Sequence, residues 1–404
     1  MKKILFSAAL ALVFVSCSRD EVVEVNRDGD EIQFNVVSDA ATRATDVYCN
    51  NNMPTEFRVW ANAYVPNATE GAPYIIGDVI AREGNAPYTW KNTSGLRYWP
   101  AGELEFYAEV NAGDNFFWND GRPEILDYEV PVEVSLQKDL LYASTRATKE
   151  DGAVKLNFRH ALSQIVFDAK NMNPNLYVEI KGVTICNLAN VGTLKLGADP
   201  GTDGNFENHL GSENTTQPDR NGWKKEHSSA MELTGGDMDY SVTFAPVPVP
   251  GNGATKQLTS QKDGVVANTK EYCTKAMLLL PQTTTAWAPA AGNGKPGAAT
   301  QTGTYFLVDC KIYNVSDASK GYQSTYEGDV CLWDKPVAIP AAFNWKEGKK
   351  YKYTFVFGNE NGGFNPDPVP DPDPEPVLTP ITFEVTVDDF VYVGNKDYDM
   401  EAKN

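Results

Sequence analysis

From residue 56 onward the chain is a series of short runs in which apolar and polar residues alternate. Phe57–Tyr64, Leu104–Val110, Val154–Phe158, Tyr305–Ile312 and Tyr351–Phe357 are examples, and Gly, Pro, Asn and Asp clusters separate them. A period of two puts every second side chain on one face, so such runs form sheets with one buried face. Few stretches keep a 3.6-residue period for three turns, so helices should be minor. The 32 Gly and 25 Pro supply the turns this architecture needs. The expected fold class is mostly β. The body, roughly 315 residues between 44 and 358, exceeds one β-sandwich and suits two in tandem.

A turn-rich break at Asn171-Met-Asn-Pro-Asn175 follows the apolar run Ile165–Phe167 and divides the body into domains 44–173 and 174–363. The Gly, Asn, Asp and Ser stretch 197–230 and the segment 288–303 read as extended surface loops.

Ahead of the body, Lys2 and Lys3 precede an apolar stretch from Ile4 to Val15 broken only by Ser7. Its twelve residues are too few to cross roughly 30 Å of hydrocarbon as a helix, so it reads as an export signal. The stretch ends in Phe14-Val15-Ser16-Cys17, a small residue directly before a Cys, which resembles a bacterial lipoprotein signal. Residues 1–16 would be removed, and the acylated Cys17 would be the new N-terminus, a palmitate-type anchor on an otherwise soluble body. Five further cysteines (Cys49, Cys186, Cys273, Cys310 and Cys331) show no C-x-x-C spacing and leave any disulfide open. Cys310 falls on the apolar face of its run and is expected to be buried.

The other end is less usual. Pro366-Asp-Pro-Val-Pro-Asp-Pro-Asp-Pro-Glu-Pro376 has proline at every second position, which suits a stiff polyproline II spacer within a linker of residues 364–380. Beyond it, Ile381, Phe383, Val385 and Val387 alternate with Thr382, Glu384, Thr386 and Asp388. This is an amphipathic strand set apart from its own domain, a detached strand that must be buried somewhere. Near the start of the chain, Ile32, Phe34 and Val36 repeat the same I-x-F-x-V spacing. The small-residue stretch Ala40–Thr45 follows, with one Arg suited to proteolysis between Arg43 and Ala44. One groove in the body could accept either strand: first the chain's own, later that of a neighbour.

Composition narrows the partners. A net charge of -19 repels phosphate backbones and excludes a nucleic-acid ligand. Only His160, His209 and His227 are available for a metal centre or proton relay, and His160 reads as a strand residue with a satisfied hydrogen bond. No G-x-S-x-G, H-E-x-x-H or Walker loop occurs, so neither an enzyme nor a cofactor is expected. The Asp-rich linker cannot wrap a Ca²⁺ ion, because alternate prolines prevent it. A surface lipoprotein that binds glycans is the rival reading, suggested by Trp60, Trp90, Trp99, Trp118 and Trp223, most of which sit beside strands where core packing suits them.

Taken in order, these features resemble the fimbrillins, lipoprotein-precursor subunits of type V pili on Gram-negative anaerobes. The resemblance rests on Cys17, on Thr42-Arg43-Ala44 after an amphipathic strand, and on Tyr98-Trp99-Pro100 followed by Leu104–Ala108. Asp139–Ala143 followed by Val154–Ser163, and Gly348–Tyr351 leading into a last body strand, extend it. It implies two transthyretin-like β-sandwich domains and export to the outer membrane and cell surface. An arginine-specific protease would remove a propeptide, residues 17–43. A strand from the next subunit, here 381–393 within the 381–404 tail, would then fill the opened groove. The partners would be copies of the chain and other pilus subunits, head to tail, in a fimbrium that supports adhesion. Retention of both ends favours a shaft subunit.

Overall fold

The computed structural model describes residues 30–38, 54–63, 72–85, 88–119, 122–198, 228–235, 237–259, 276–288, 303–358, 363–365 and 381–389. Twenty strands make up nearly all of its regular structure. The first nine are β1 (Phe34–Ser38), β2 (Glu56–Ala63), β3 (Ala72–Glu83), β4 (Thr89–Asn92), β5 (Leu104–Val110), β6 (Phe116–Asn119), β7 (Arg122–Glu129), β8 (Leu141–Ala147) and β9 (Val154–His160). β10 (Ser163–Asn171), β11 (Leu176–Leu188), β12 (Val191–Ala198), β13 (Ser228–Gly235), β14 (Met238–Pro250), β15 (Lys256–Gln257) and β16 (Met277–Leu279) follow. The last four are β17 (Tyr305–Asn314), β18 (Cys331–Pro340), β19 (Lys349–Phe357) and β20 (Ile381–Asp389). Among the described residues the helical pieces are two short 3-10 turns, Val134–Leu136 and Lys149–Asp151. The protein is mostly β, as its alternating runs require.

Four sheets result. One has the order β1-β9-β8-β5-β2-β3-β4, and a second β13-β12-β7-β6. A third runs β15-β10-β19-β20 with β16 also on β10, and a fourth β14-β11-β17-β18. Two main cores fill them. The first sheet encloses Phe57, Val59, Trp99, Phe106, Val154, Leu156 and Phe158. The other three share a larger core that includes Ile125, Leu194, Phe167, Ile180, Phe306 and Phe355.

The expected break at 171–175 is a turn between β10 and β11, but the cut at 173/174 does not coincide with a boundary between sheets. β10 lies before it and pairs in parallel with β19 after it, while β7 pairs with β12 across it. Links between the halves include the Tyr142 hydroxyl, which donates to Glu347 Oε1 at 2.9 Å, and Ser163 Oγ, which donates to the Lys346 carbonyl at 2.8 Å. The expected loop 197–230 is shorter than its composition suggested. β12 continues to Ala198 and β13 begins at Ser228, paired with each other.

Candidate functional site

The N-terminal strand makes two different sets of backbone bonds. Its first residues join the segment after β4: Ile32 N–H donates to the Arg97 carbonyl at 2.8 Å, and Trp99 N–H to the Asp30 carbonyl at 3.0 Å. From Phe34 on it pairs in parallel with β9, from Phe34 opposite Val154 to Ser38 opposite Phe158. Residues 30–38 therefore bond both β9 and the segment that follows β4. The alternation read from sequence sets which side chains go inward: Ile32 is 3% exposed and Phe34 6%, while Val36 is half-buried against the same core. Phe34 meets Phe57 and Phe106 edge-on, each at 6.0 Å between ring centroids.

A half-buried ion pair holds the far side of this slot. Asp78, 3% exposed, accepts from Arg97 Nε at 2.7 Å, Arg97 Nη2 at 2.8 Å and Asn92 Nδ2 at 2.7 Å. Burial alone would raise its pKa, but the hydrogen bonds from Arg97 and Asn92 and the guanidinium charge hold the carboxyl below the usual range. The same Arg97 offers its carbonyl to Ile32. The pattern Tyr98-Trp99-Pro100 alone does not reveal this clamp. Its signal was Arg97 next to an aromatic pair, legible only once Asp78 is known to lie beneath it.

At the other terminus the expectation of a detached strand is corrected. β20 lies on its own domain, antiparallel to β19 over nine residues, from Ile381 opposite Phe357 to Asp389 opposite Lys349. An amphipathic strand with an apolar face gains by covering one, and β19 offers an unpaired edge beside an aromatic floor. Phe383 packs edge-on against Phe306 at 5.4 Å and Tyr353 at 5.8 Å. On the polar face Lys170 Nζ donates to both Glu384 carboxylate oxygens at 2.8 Å. Coverage is incomplete, since Val385 remains 45% exposed. Ile381 and Val387 take register positions opposite Phe357 and Tyr351.

The two strands with matching spacing are thus seated at once on edges of different sheets and do not meet. Cys17, Arg43 and Ala44 lie outside the described residues, as do residues 390–393 of the expected donor segment. The second Thr-Arg-Ala-Thr, around Arg146, is at the C-terminal end of β8, where Arg146 pairs with Glu105 of β5 and its Nε donates to Glu105 Oε1 at 3.1 Å.

Other sequence readings have plain structural outcomes. His160 Nδ1 lies 2.8 Å from Asp139 Oδ2, and Asp139 is fully buried. Cys310 is fully buried and burial pushes its thiol pKa up, which suits an inert hydrophobe. Trp60 and Trp99 are buried, Trp60 stacked on Phe116 at 3.6 Å, and Trp90 and Trp118 pack partly buried against the cores. Trp223 lies outside the described residues. Among the described residues no group of three or more His, Cys, Asp or Glu could hold a metal ion, and no helix is long and apolar enough to cross a membrane.

The fold and site define a multi-sheet β protein in which both terminal strands are edge additions to sheets. The family follows from the sequence match. The chain belongs to the fimbrillin-like family, whose model matches residues 42–389. Among solved structures it is similar to a fimbrial protein from Bacteroides vulgatus, at TM-score 0.51 and 14% identity over 90% of this chain and 100% of that one. A proposed cell adhesion protein from Parabacteroides distasonis, at TM-score 0.44 and 11% identity, covers 90% of this chain and 100% of its own. Another from Bacteroides uniformis, at TM-score 0.37 and 13% identity, covers 90% and 99%. No curated protein matches the chain. Family membership makes it a pilus-type structural subunit exposed at the cell surface.

Proposed function

We propose that this protein is a shaft subunit that polymerises by donor-strand exchange after proteolysis. In this reading it is exported as a lipoprotein acylated at Cys17 and carried to the outer membrane. An arginine-specific protease cuts between Arg43 and Ala44, separating residues 17–43 from the body. The I-x-F-x-V strand of a neighbour, Ile381, Phe383, Val385 and Val387, then takes the place of Ile32, Phe34 and Val36. Each completed slot joins one subunit to the next head to tail, a contact that does not close on itself and grows a filament.

The observation that carries the reading is the position of β1. It is a short terminal segment, yet it supplies Ile32 and Phe34 to a core and bonds both β9 and the segment after β4. Loss of such a strand leaves an apolar slot with unpaired backbone on both sides, which only another extended strand can satisfy. Burying a Phe or Ile there is worth roughly 1.5–3 kcal/mol per side chain before ordering costs. The partial exposure of Val385 favours the same reading, since a loosely covered strand is the easier one to give away. The family match begins at residue 42, beside the proposed scissile bond, and ends at 389, the last described residue of β20.

Electron microscopy of the purified precursor before and after cleavage with a trypsin-like protease tests this. Monomers before and filaments after are expected. Monomers under both conditions would refute the reading and return the chain to a monomeric surface lipoprotein.

A further inference from the structure

Between the last body strand and the donor strand, one short segment is pinned. Phe364 N–H donates to the Ala338 carbonyl at 2.8 Å, and Ala338 N–H donates to the Phe364 carbonyl at 2.9 Å, an antiparallel bridge. The Phe364 ring packs against Trp287, with centroids 5.8 Å apart at 75°. It thereby joins a small separate core of Cys186, Trp287, Tyr305 and Ala338. Ala338 belongs to β18, the outermost strand of its sheet, so Phe364 caps that sheet's free edge.

The sequence limits how far such a pairing can extend. In an antiparallel ladder, mutually bonded pairs recur at every second residue. Counting on from the Phe364–Ala338 pair, the next such positions are 366, 368 and 370, facing 336, 334 and 332. Residues 366, 368 and 370 are all proline, and so is Pro336 on the strand itself. Proline has no N–H to donate. Every such pair toward the C-terminus therefore loses the arm's donated bond, the 366–336 pair loses both bonds, and the parity of the proline run matches the register that Phe364 sets.

We infer that Phe364 is the fixed pivot of the C-terminal arm: it stays docked on β18 through assembly, and the arm moves only beyond it. This rests on the donor-strand reading and adds to it the point from which the donor's reach is measured. If Phe364 were released, residues 359–364 would join the arm. Six more residues lengthen an extended arm by about 20 Å. Phe364 is thus a positioning residue for the strand that its own subunit donates, and its docking sets the spacing between subunits.

Amide hydrogen exchange on the full precursor and on filaments made from it reads the pivot directly. Protection of the Ala338 amide should persist in both states, with exchange at least ten-fold slower than in Phe364→Ala, while protection of 381–389 changes on assembly. Loss of Ala338 protection in wild-type filaments would overturn the pivot. The second measurement is subunit spacing in Phe364→Ala filaments by electron microscopy. A broadened distribution is expected, and spacing as uniform as wild type would overturn the positioning role. Failure of the underlying donor-strand reading is distinguishable, because it would show as cleaved wild-type protein that makes no filaments.

Discussion

Phe34 and Phe106 meet edge to face, ring centroids 6.0 Å apart at 88°, although one belongs to the terminal strand β1 and the other to β5 in the middle of the same sheet. A side chain from a segment proposed to be discarded thus reaches the centre of a core. Phe34→Ala should destabilise the uncut precursor by about 3–5 kcal/mol, the usual cost of truncating a buried Phe. Filaments assembled from cleaved Phe34→Ala protein should match wild type, since the residue is gone from them. Denaturant midpoints of precursor and filament check both halves, and equal destabilisation of the two would show that β1 is retained.

The Asp78–Arg97 pair fixes one side of the same slot and gives it a pH dependence. The Asp78 carboxyl is held below its ordinary value in the folded chain. Its contribution is therefore fully present above the unfolded value near 3.8 and is lost as pH falls through the lower folded value. Asp78→Asn should cost about 1–3 kcal/mol at neutral pH, less than a fully buried pair because Arg97 is partly in solvent. Thermal unfolding across pH 2–7 should show a shallower acid limb for the variant. An acid limb identical to wild type would mean that the pair does not govern the acid sensitivity.

Much of this was readable in the amino-acid pattern. Leu104–Val110 is β5 residue for residue, and the runs at Phe57, Val154, Tyr305 and Tyr351 all fall within or largely on strands. Alternation also placed Ile32, Phe34 and Phe383 on inward faces. What alternation cannot state is which strand lies beside which. The parallel pairings of β1 with β9 and β10 with β19 join distant segments, and nothing local encodes them. That is why a cut at 173/174 crosses the sheets, and why sequence alone leaves β20 detached. A proline run excludes pairing within itself but does not prevent the chain from returning beyond it.

Phe383 faces Phe306 and Tyr353 in its own subunit before any exchange. Phe383→Asp should therefore weaken the monomer by about 1–3 kcal/mol, moderated because the open edge lets the carboxylate reach water. In a closed slot that escape is lost, so polymers should be absent altogether. Sedimentation of cleaved protein separates the outcomes. Polymers at wild-type levels would show that Phe383 fills no pocket in a neighbour.

Arg146 carries the same flanking residues as Arg43 but sits in β8, bonded to β5 and ion-paired with Glu105. A protease needs several residues of free extended backbone, and a paired strand does not offer it. Native protein treated with an arginine-specific protease should therefore yield a new N-terminus at Ala44 and none at Ala147. Heat-unfolded protein should be cut at both. N-terminal sequencing decides, and a native product beginning at Ala147 would contradict the protection.

Deletion of residues 377–404 bears most directly on the central claim. The precursor keeps β1, so it should still be exported as monomer, somewhat less stable for want of β20 over Phe306 and Tyr353. After cleavage it has a slot to fill but no strand to give. Electron microscopy of the cleaved protein should show filaments for wild type and none for the deletion, which should also shorten wild-type filaments when mixed with them. Filaments of normal length from the deletion alone would contradict donor-strand exchange by this segment.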